Sequence, residues 1–282
     1  MKKITLCLMA SLWLTALVSC HRCEELGEKV QVTVSVDDFE IFDEPFSGSK
    51  NTNTVKNISF AIFKANGEVE YSANQTETDA DFGTFSYPLY QGQYTIVAVG
   101  HKNSAGHAVI QSPSLVTFPN NAVTDIFAKV QTINITNNSP QTIDLALDRA
   151  ISCLKVSPTD TIPSTVSSIT FNYSSGGYTL NPATLLCPSV TGVQATIDVP
   201  ANAHGSSQIF SRYVILNAEE QTMNITVTAY DGSDNVIVSR TFNNVTLKRN
   251  RQTIARGAFF SSTGSTTLTF NDDYLTNDTI LF

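Results

Sequence analysis

Val30, Val32, Val34 and Val36 alternate with Gln31, Thr33 and Ser35. A period of two places all four valines on one face of an extended strand. The pattern returns along the chain. Residues 58–63 form a β-branched and aromatic run broken at Asn66-Gly67, with Val69 and Tyr71 starting the return arm of a hairpin. Phe82, Phe85 and Tyr87 mark another strand, and a turn at Gly92 leads into the run 94–99. Residues 123–130 and 141–147 complete a first set. A second set begins with 150–156 and continues through 169–173, 195–199, 213–216, 223–230 and 236–242, the last two joined at Asp231-Gly232. Residues 245–250, 252–260, 267–270 and 274–282 close the chain. No stretch of about 12 residues repeats its apolar positions at the helical spacing. Short strands with turn residues every ~8–12 positions build sandwiches or barrels. The chain is read as all-β, with about seven strands in each of two tandem β-sandwiches. The expected boundaries are 29–148 and 149–282.

Upstream, Met1-Lys2-Lys3 precedes an apolar run over 4–18 that closes in Leu17-Val18-Ser19-Cys20. A basic start, a short apolar core and small residues before a break make a secretory signal peptide. The run falls short of the ~20 residues that a membrane-spanning helix needs. Leu-Val-Ser-Cys resembles the bacterial lipobox. That resemblance implies cleavage before Cys20, a diacylglycerol thioether on its sulfur and acylation of the new amine, palmitate being a typical chain. Residues 1–19 are then signal peptide and 20–28 a lipidated tether. Each buried methylene contributes ~0.8 kcal/mol; one chain holds marginally, several hold effectively permanently. Glu24-Glu25 resemble the acidic surface-export signal of Bacteroidales lipoproteins. The implied location is the outer membrane, lipid-anchored and surface-exposed.

The formal net charge is −8, and the leader contributes Lys2 and Lys3 without an acid. The secreted part is therefore more acidic still. Nucleic-acid binding rests on Lys and Arg neutralising phosphates, so no nucleic-acid partner is expected. Five cysteines are present. Cys7 lies in the leader, Cys20 is the lipid site and Cys23 sits in the tether. Cys153 and Cys187 remain, either as a disulfide, which an oxidising compartment permits, or as two small buried hydrophobes. The only tryptophan, Trp13, is in the leader, which counts mildly against a glycan-binding surface built on indole rings.

Several runs together carry a family resemblance. They are Ile58-Ser-Phe60-Ala-Ile62-Phe63-Lys64-Ala65-Asn66-Gly67, Tyr90-Gln-Gly92-Gln-Tyr94-Thr-Ile96-Val97-Ala98, Leu147-Asp-Arg149-Ala150-Ile151-Ser-Cys-Leu154-Lys-Val156 and Val245-Thr-Leu247-Lys248-Arg249-Asn250-Arg-Gln-Thr253. With the lipobox, and in this order, they resemble the fimbrillin superfamily of Bacteroidales. The resemblance implies two transthyretin-like β-sandwich domains and a role in fimbriae or surface adhesion. It further implies that a subunit can lose its first strand to a surface protease and receive a strand from the next subunit. Here the strand that would leave is 30–36. The basic candidates for processing after it are Lys50 and Lys56, because no Arg lies between Arg22 and Arg149. The family's proteases cut mainly after Arg, so an uncleaved anchor or accessory subunit stands beside the polymerising one. The C-terminal stretch 268–282 is either the last strand of the second sandwich or a strand donated to a neighbour, and its apolar end favours the former.

Enzymatic signatures are thin, and the chain is read as non-enzymatic. His101 and His107 fit no metal-ligand spacing and are expected in a solvated hairpin. Gly205-Ser206-Ser207 lacks a nucleophile elbow. Asp231, Asp234 and Asn235 are too few for a calcium loop, and the acids over 37–44 are expected as a solvated face. No metal and no cofactor are expected. Asp160-Thr161-Ile162 and Asp278-Thr279-Ile280 resemble the Bacteroidales O-glycosylation sequon, making Thr161 and Thr279 candidates. The function expected is a fimbrial subunit or anchor, with fimbrial subunits as partners by strand exchange, the outer membrane through Cys20, and a host or bacterial receptor met by loops 47–54 or 104–108. The alternative is a glycan-binding lipoprotein of a polysaccharide-uptake system, which exposed tyrosine pairs would favour.

Overall fold

The computed structural model describes residues 27–39, 55–103, 105–261, 269–270 and 278–281, the last two segments as backbone only. Its regular structure is nearly all strand. Two short 3-10 turns, Pro119–Asn121 and Ala201–Ala203, are its only helical pieces among the described residues.

In the first half, β1 (Val30–Phe39) lies between β4 (Thr84–Leu89), antiparallel, and β9 (Gln141–Arg149), parallel. The facing sheet runs β3 (Val69–Thr76), β2 (Asn57–Lys64), β5 (Gly92–His101), β8 (Ile126–Ile135), antiparallel throughout. β8 and β9 stay joined only at Phe127–Arg149 and Ala128–Asp148. Beyond that point they diverge into the two layers. The valines of β1 meet Phe60, Phe85, Leu89, Ile96, Leu145 and Leu147 in one core between the layers.

The second half repeats this plan. β10 (Ser152–Pro158) lies between β14 (Phe210–Val214), antiparallel, and β17 (Gln252–Gly257), parallel. The facing sheet runs β13 (Val193–Asp198), β11 (Ser168–Tyr173), β15 (Glu220–Tyr230), β16 (Val236–Lys248). Each first strand thus has one antiparallel neighbour and one parallel neighbour from late in its own half, β9 or β17. A second core, with Leu154, Phe171, Val227, Phe242 and Phe259, fills this sandwich.

Each half also carries an insertion, and the two insertions meet. β6 (Val109–Ser112) and β7 (Leu115–Thr117) lie between β5 and β8, and β12 (Thr179–Leu180) lies between β11 and β13. β12 pairs with β7 to give a small sheet shared by both halves. Beneath it a third core joins Phe63, Val97, Val116 and Ala128 of the first half to Leu180, Cys187 and Ile215 of the second. This explains the continuous apolar runs in β2 and β5. Ile58, Phe60 and Ile62 face the first core while Ala61 and Phe63 face the third, so both sides of the strand are dry.

The hairpin turns expected at Asn66-Gly67 and Asp231-Gly232 are present. Gly67 takes φ +86° and Asn66 Oδ1 accepts the Glu68 N–H, at 3.0 Å. Asp231 Oδ1 accepts the Ser233 and Asn235 N–H groups at 2.8 and 2.9 Å. The Asn235 side-chain amide, which also donates to this carboxylate, and then these backbone donors hold the Asp231 carboxyl below its ordinary pKa.

Candidate assembly edges and the junction

β1 is the first strand of the described residues. Its backbone is paired on both sides, from Val30–Leu89 to Ser35–Thr84 on one flank and from Val32–Gln141 to Phe39–Leu147 on the other. Its four alternating valines are 1–4 % exposed, each burial contributing roughly 1.5 kcal/mol or more. Gly83 fixes its far end. The Val36 N–H donates to Gly83 O at 2.7 Å, and a Cβ on Gly83, at φ +89°, would lie 2.6 Å from Val36 O. Without it, β4 and β9 would face each other across a groove, with Phe85 and Leu89 on one wall, Leu145 and Leu147 on the other, and unpaired N–H and C=O groups along both.

The two processing candidates separate. Lys50 lies outside the described residues. Lys56 leads directly into β2, its N–H donating to His101 O at 3.0 Å and its carbonyl accepting the Glu77 N–H at 2.9 Å. The neighbouring Val55 side chain is fully buried. The Lys56 ammonium is half-exposed against Glu77, 3.4 Å away. A protease needs several residues of free extended backbone, and Lys56 offers none without unpairing β2.

At the other end of the chain, β19 (Asp278–Leu281) pairs in parallel with β17, and β18 (Thr269–Phe270) pairs with β19. The C-terminal strand therefore closes its own sandwich. The chain leading to it leaves β17 through a clasp. Asp160 accepts the N–H groups of Phe259, Phe260 and Ser261 at 2.9, 2.8 and 2.7 Å, and Arg240 donates to the carbonyls of Phe259 and Ser261. Thr161 is exposed beside this clasp, between the engaged Asp160 and buried Ile162. Of Thr279 only the strand backbone is described. Cys20 and the loop 47–54 lie outside the described residues.

Cys153 and Cys187 are not bonded to each other; both are free, buried thiols. Burial pushes Cys153 up to about 12, which leaves the thiol protonated.

The expected solvated hairpin at 101–107 is corrected. His101 is fully buried at the end of β5. The Asn103 N–H faces its Nδ1 at 3.2 Å and the Ala108 N–H faces its Nε2 at 3.1 Å, and the neutral ring accepts from one of them. Burial, then His107, pushes its pKa down to about 4. Phe118 packs edge-on against the His101 ring, 6.0 Å between centroids, and Ala108 is buried; of the expected display loop 104–108, Ser104 lies outside the described residues. Among the described residues, no three His, Cys, Asp or Glu side chains converge as a metal site would require.

Two runs distant in sequence meet between the sandwiches. Arg149 Nε and Nη2 donate to the two oxygens of Asp125 at 2.8 and 3.2 Å, and Nη1 donates to Asn250 Oδ1 at 3.2 Å. Its guanidinium also lies 4.6 Å from the Phe127 ring centroid. Arg249 Nη1 donates back to Arg149 O at 2.7 Å, and the Asn250 N–H donates to Ile151 O at 2.8 Å. Sequence order alone did not reveal this junction, although both runs were conspicuous in it.

Fold and edges together define a tandem β-sandwich protein whose two units are built on one strand plan. Residues 108–280 match the family described as a family of unknown function, DUF6562. The match spans more than half of the chain, and the chain belongs to that family. No curated protein sequence matches it. Among solved structures, similarity is found to a Bacteroides thetaiotaomicron protein of the DUF1812 group provisionally described as polysaccharide-binding (12 % identity, TM-score 0.49, covering 74 % of this chain and 79 % of that one). A provisionally described adhesin from Bacteroides ovatus (12 %, TM-score 0.48, 77 % and 77 %) is similar to the same degree. So is the fimbrial anchor protein Mfa2 from Porphyromonas gingivalis (15 %, TM-score 0.44, 75 % and 82 %). Identities and scores this low leave function to be read from this chain's own residues.

Proposed function

We propose that the chain is a non-enzymatic surface lipoprotein that acts in fimbriae as a subunit or as an anchor or accessory protein, with units 29–148 and 149–282, held to the outer membrane by acylated Cys20. The observation that carries this reading is β1. The strand nearest the tether is the one whose place between β4 and β9 another extended segment of alternating pattern can take, with main-chain bonds for affinity and valine-sized pockets for specificity. While β1 stays in place the protein is a terminal, membrane-held piece. Once a cut after Lys50 frees β1, the same groove accepts a neighbouring subunit's strand. β19 supports the first role, because this chain's own C-terminal strand lies on its own β17.

The glycan alternative gains little. Tyr71 and Tyr87 do pair, with centroids 4.4 Å apart and planes 22° apart. They bridge the edge strands β3 and β4 and cover ring faces that a sugar would need.

Mass spectrometry of the mature N-terminus, on protein taken from the native cell surface, tests the proposal. Acylated Cys20 on the full mature chain means an anchor or accessory subunit. A start near Asn51 means a processed, polymerising subunit. An unmodified Cys20 on an uncut chain overturns the lipoprotein reading.

A further inference from the structure

We propose that the end of the first sandwich where the tether enters is a membrane-docking face, seated on lipid headgroups. The inference rests on the lipid-anchor reading of Cys20. If that cysteine is acylated, the nine tether positions 20–28 reach at most about 30 Å, so this end is held near the bilayer for as long as the chain stays uncut.

The residues gathered there suit that position. Lys29 is exposed at the start of β1, with Nζ 5.0 Å from the Tyr90 ring centroid and 5.7 Å from that of Tyr87. Tyr87 stacks on Tyr71, and the Tyr94 hydroxyl donates to Tyr90 O at 3.2 Å. Tyr71, Tyr87 and Tyr90 are half-buried, their rings set against the protein and each other. Side chains with an apolar body and a polar tip, tyrosine and lysine among them, settle at headgroup depth.

Charge supplies no attraction. Lys64 Nζ lies 3.1 Å from Glu70 and 3.9 Å from Glu68, and Lys29 follows Glu28, so acids outnumber lysines at this end and the contact rests on the tyrosine and lysine side chains settling at headgroup depth. A weak contact suffices, because a short tether raises the effective local concentration to the millimolar range.

The test couples the mature protein through residue 20 to a synthetic lipid on phosphatidylcholine/phosphatidylglycerol vesicles, so that its result does not depend on native acylation. Hydrogen exchange is compared with the uncoupled protein. Exchange in peptides covering 65–72 and 86–92 is expected to slow at least threefold on coupling, with the 231–235 turn unchanged. In the doubly substituted Lys29→Glu, Tyr90→Ser protein, whose melting point is checked alongside, the slowing is expected to disappear. Equal exchange with and without coupling overturns the proposal, as does slowing that extends to the 231–235 turn or survives the double substitution. Failure of the anchor reading appears elsewhere, as an unmodified Cys20 in the native protein.

Discussion

Arg149 and Asp125 form a buried, two-pronged ion pair at 2.8 and 3.2 Å, and the arginine's remaining arm reaches Asn250 in the other sandwich. Breaking such a pair strands a charge in a dry site, which costs about 3–5 kcal/mol. Arg149→Met is therefore expected to lower stability by that order and to uncouple the halves. Calorimetry should resolve two transitions where the parent shows one. A single transition at the parent temperature refutes a joining role for Arg149.

Removing β1 should leave a groove that a peptide can refill. A chain beginning at residue 55 is expected to self-associate or aggregate, and a synthetic peptide spanning Val30–Phe39 should restore a monomer. Replacing Val32 and Val34 by Asp in the peptide should abolish the rescue, because both side chains enter the core. Light scattering reads either outcome.

Lys-specific proteolysis of the folded protein should cut after Lys50 at least tenfold faster than after Lys56. The Lys56 backbone is bonded on both sides, and cleavage there requires local unpairing. Timed digestion followed by intact-mass measurement distinguishes the sites.

Acid should weaken the first sandwich through His101. A neutral ring can accept one of the two facing N–H groups, and a protonated ring neither. The folded value of about 4 lies below the ordinary 6.5. Its contribution is thus fully present above pH 6.5 and is lost as pH falls toward 4, amounting to about 3 kcal/mol. In His101→Asn the melting temperature should change less between pH 7 and 4 than in the parent, although the variant starts lower.

Truncation after residue 268 should destabilise the second sandwich by exposing the edge of β17. A measurable fall in melting temperature is expected. An unchanged melting point together with lost assembly would instead identify β19 as a strand given to a neighbour.

The strand plan of the larger elements was legible because alternation in β1 and the turns at Asn66-Gly67 and Asp231-Gly232 are local signals. The insertions were not. β7 and β12 are three and two residues long, too short for any period, and they exist because each supplies the other's partner. The same cause hid His101. Gly100-His-Lys-Asn reads as a polar turn, and nothing nearby in sequence reports that Phe118, 17 positions on, packs against the His101 ring. At the junction, Arg149 stood in a recognisable run, but Asp125 and Asn250 are 24 and 101 positions away.

The parallel pairing of β1 with β9 has a mechanical consequence. A pull on the Lys29 end of β1 and an opposing pull on the Arg149 end of β9 load strands that run the same way, so the opposed forces slide them past each other. The hydrogen bonds between Val32–Gln141 and Phe39–Leu147 are then loaded together in shear instead of being unzipped one at a time. Under the anchoring proposed above, that clamp is what would bear traction on the first sandwich.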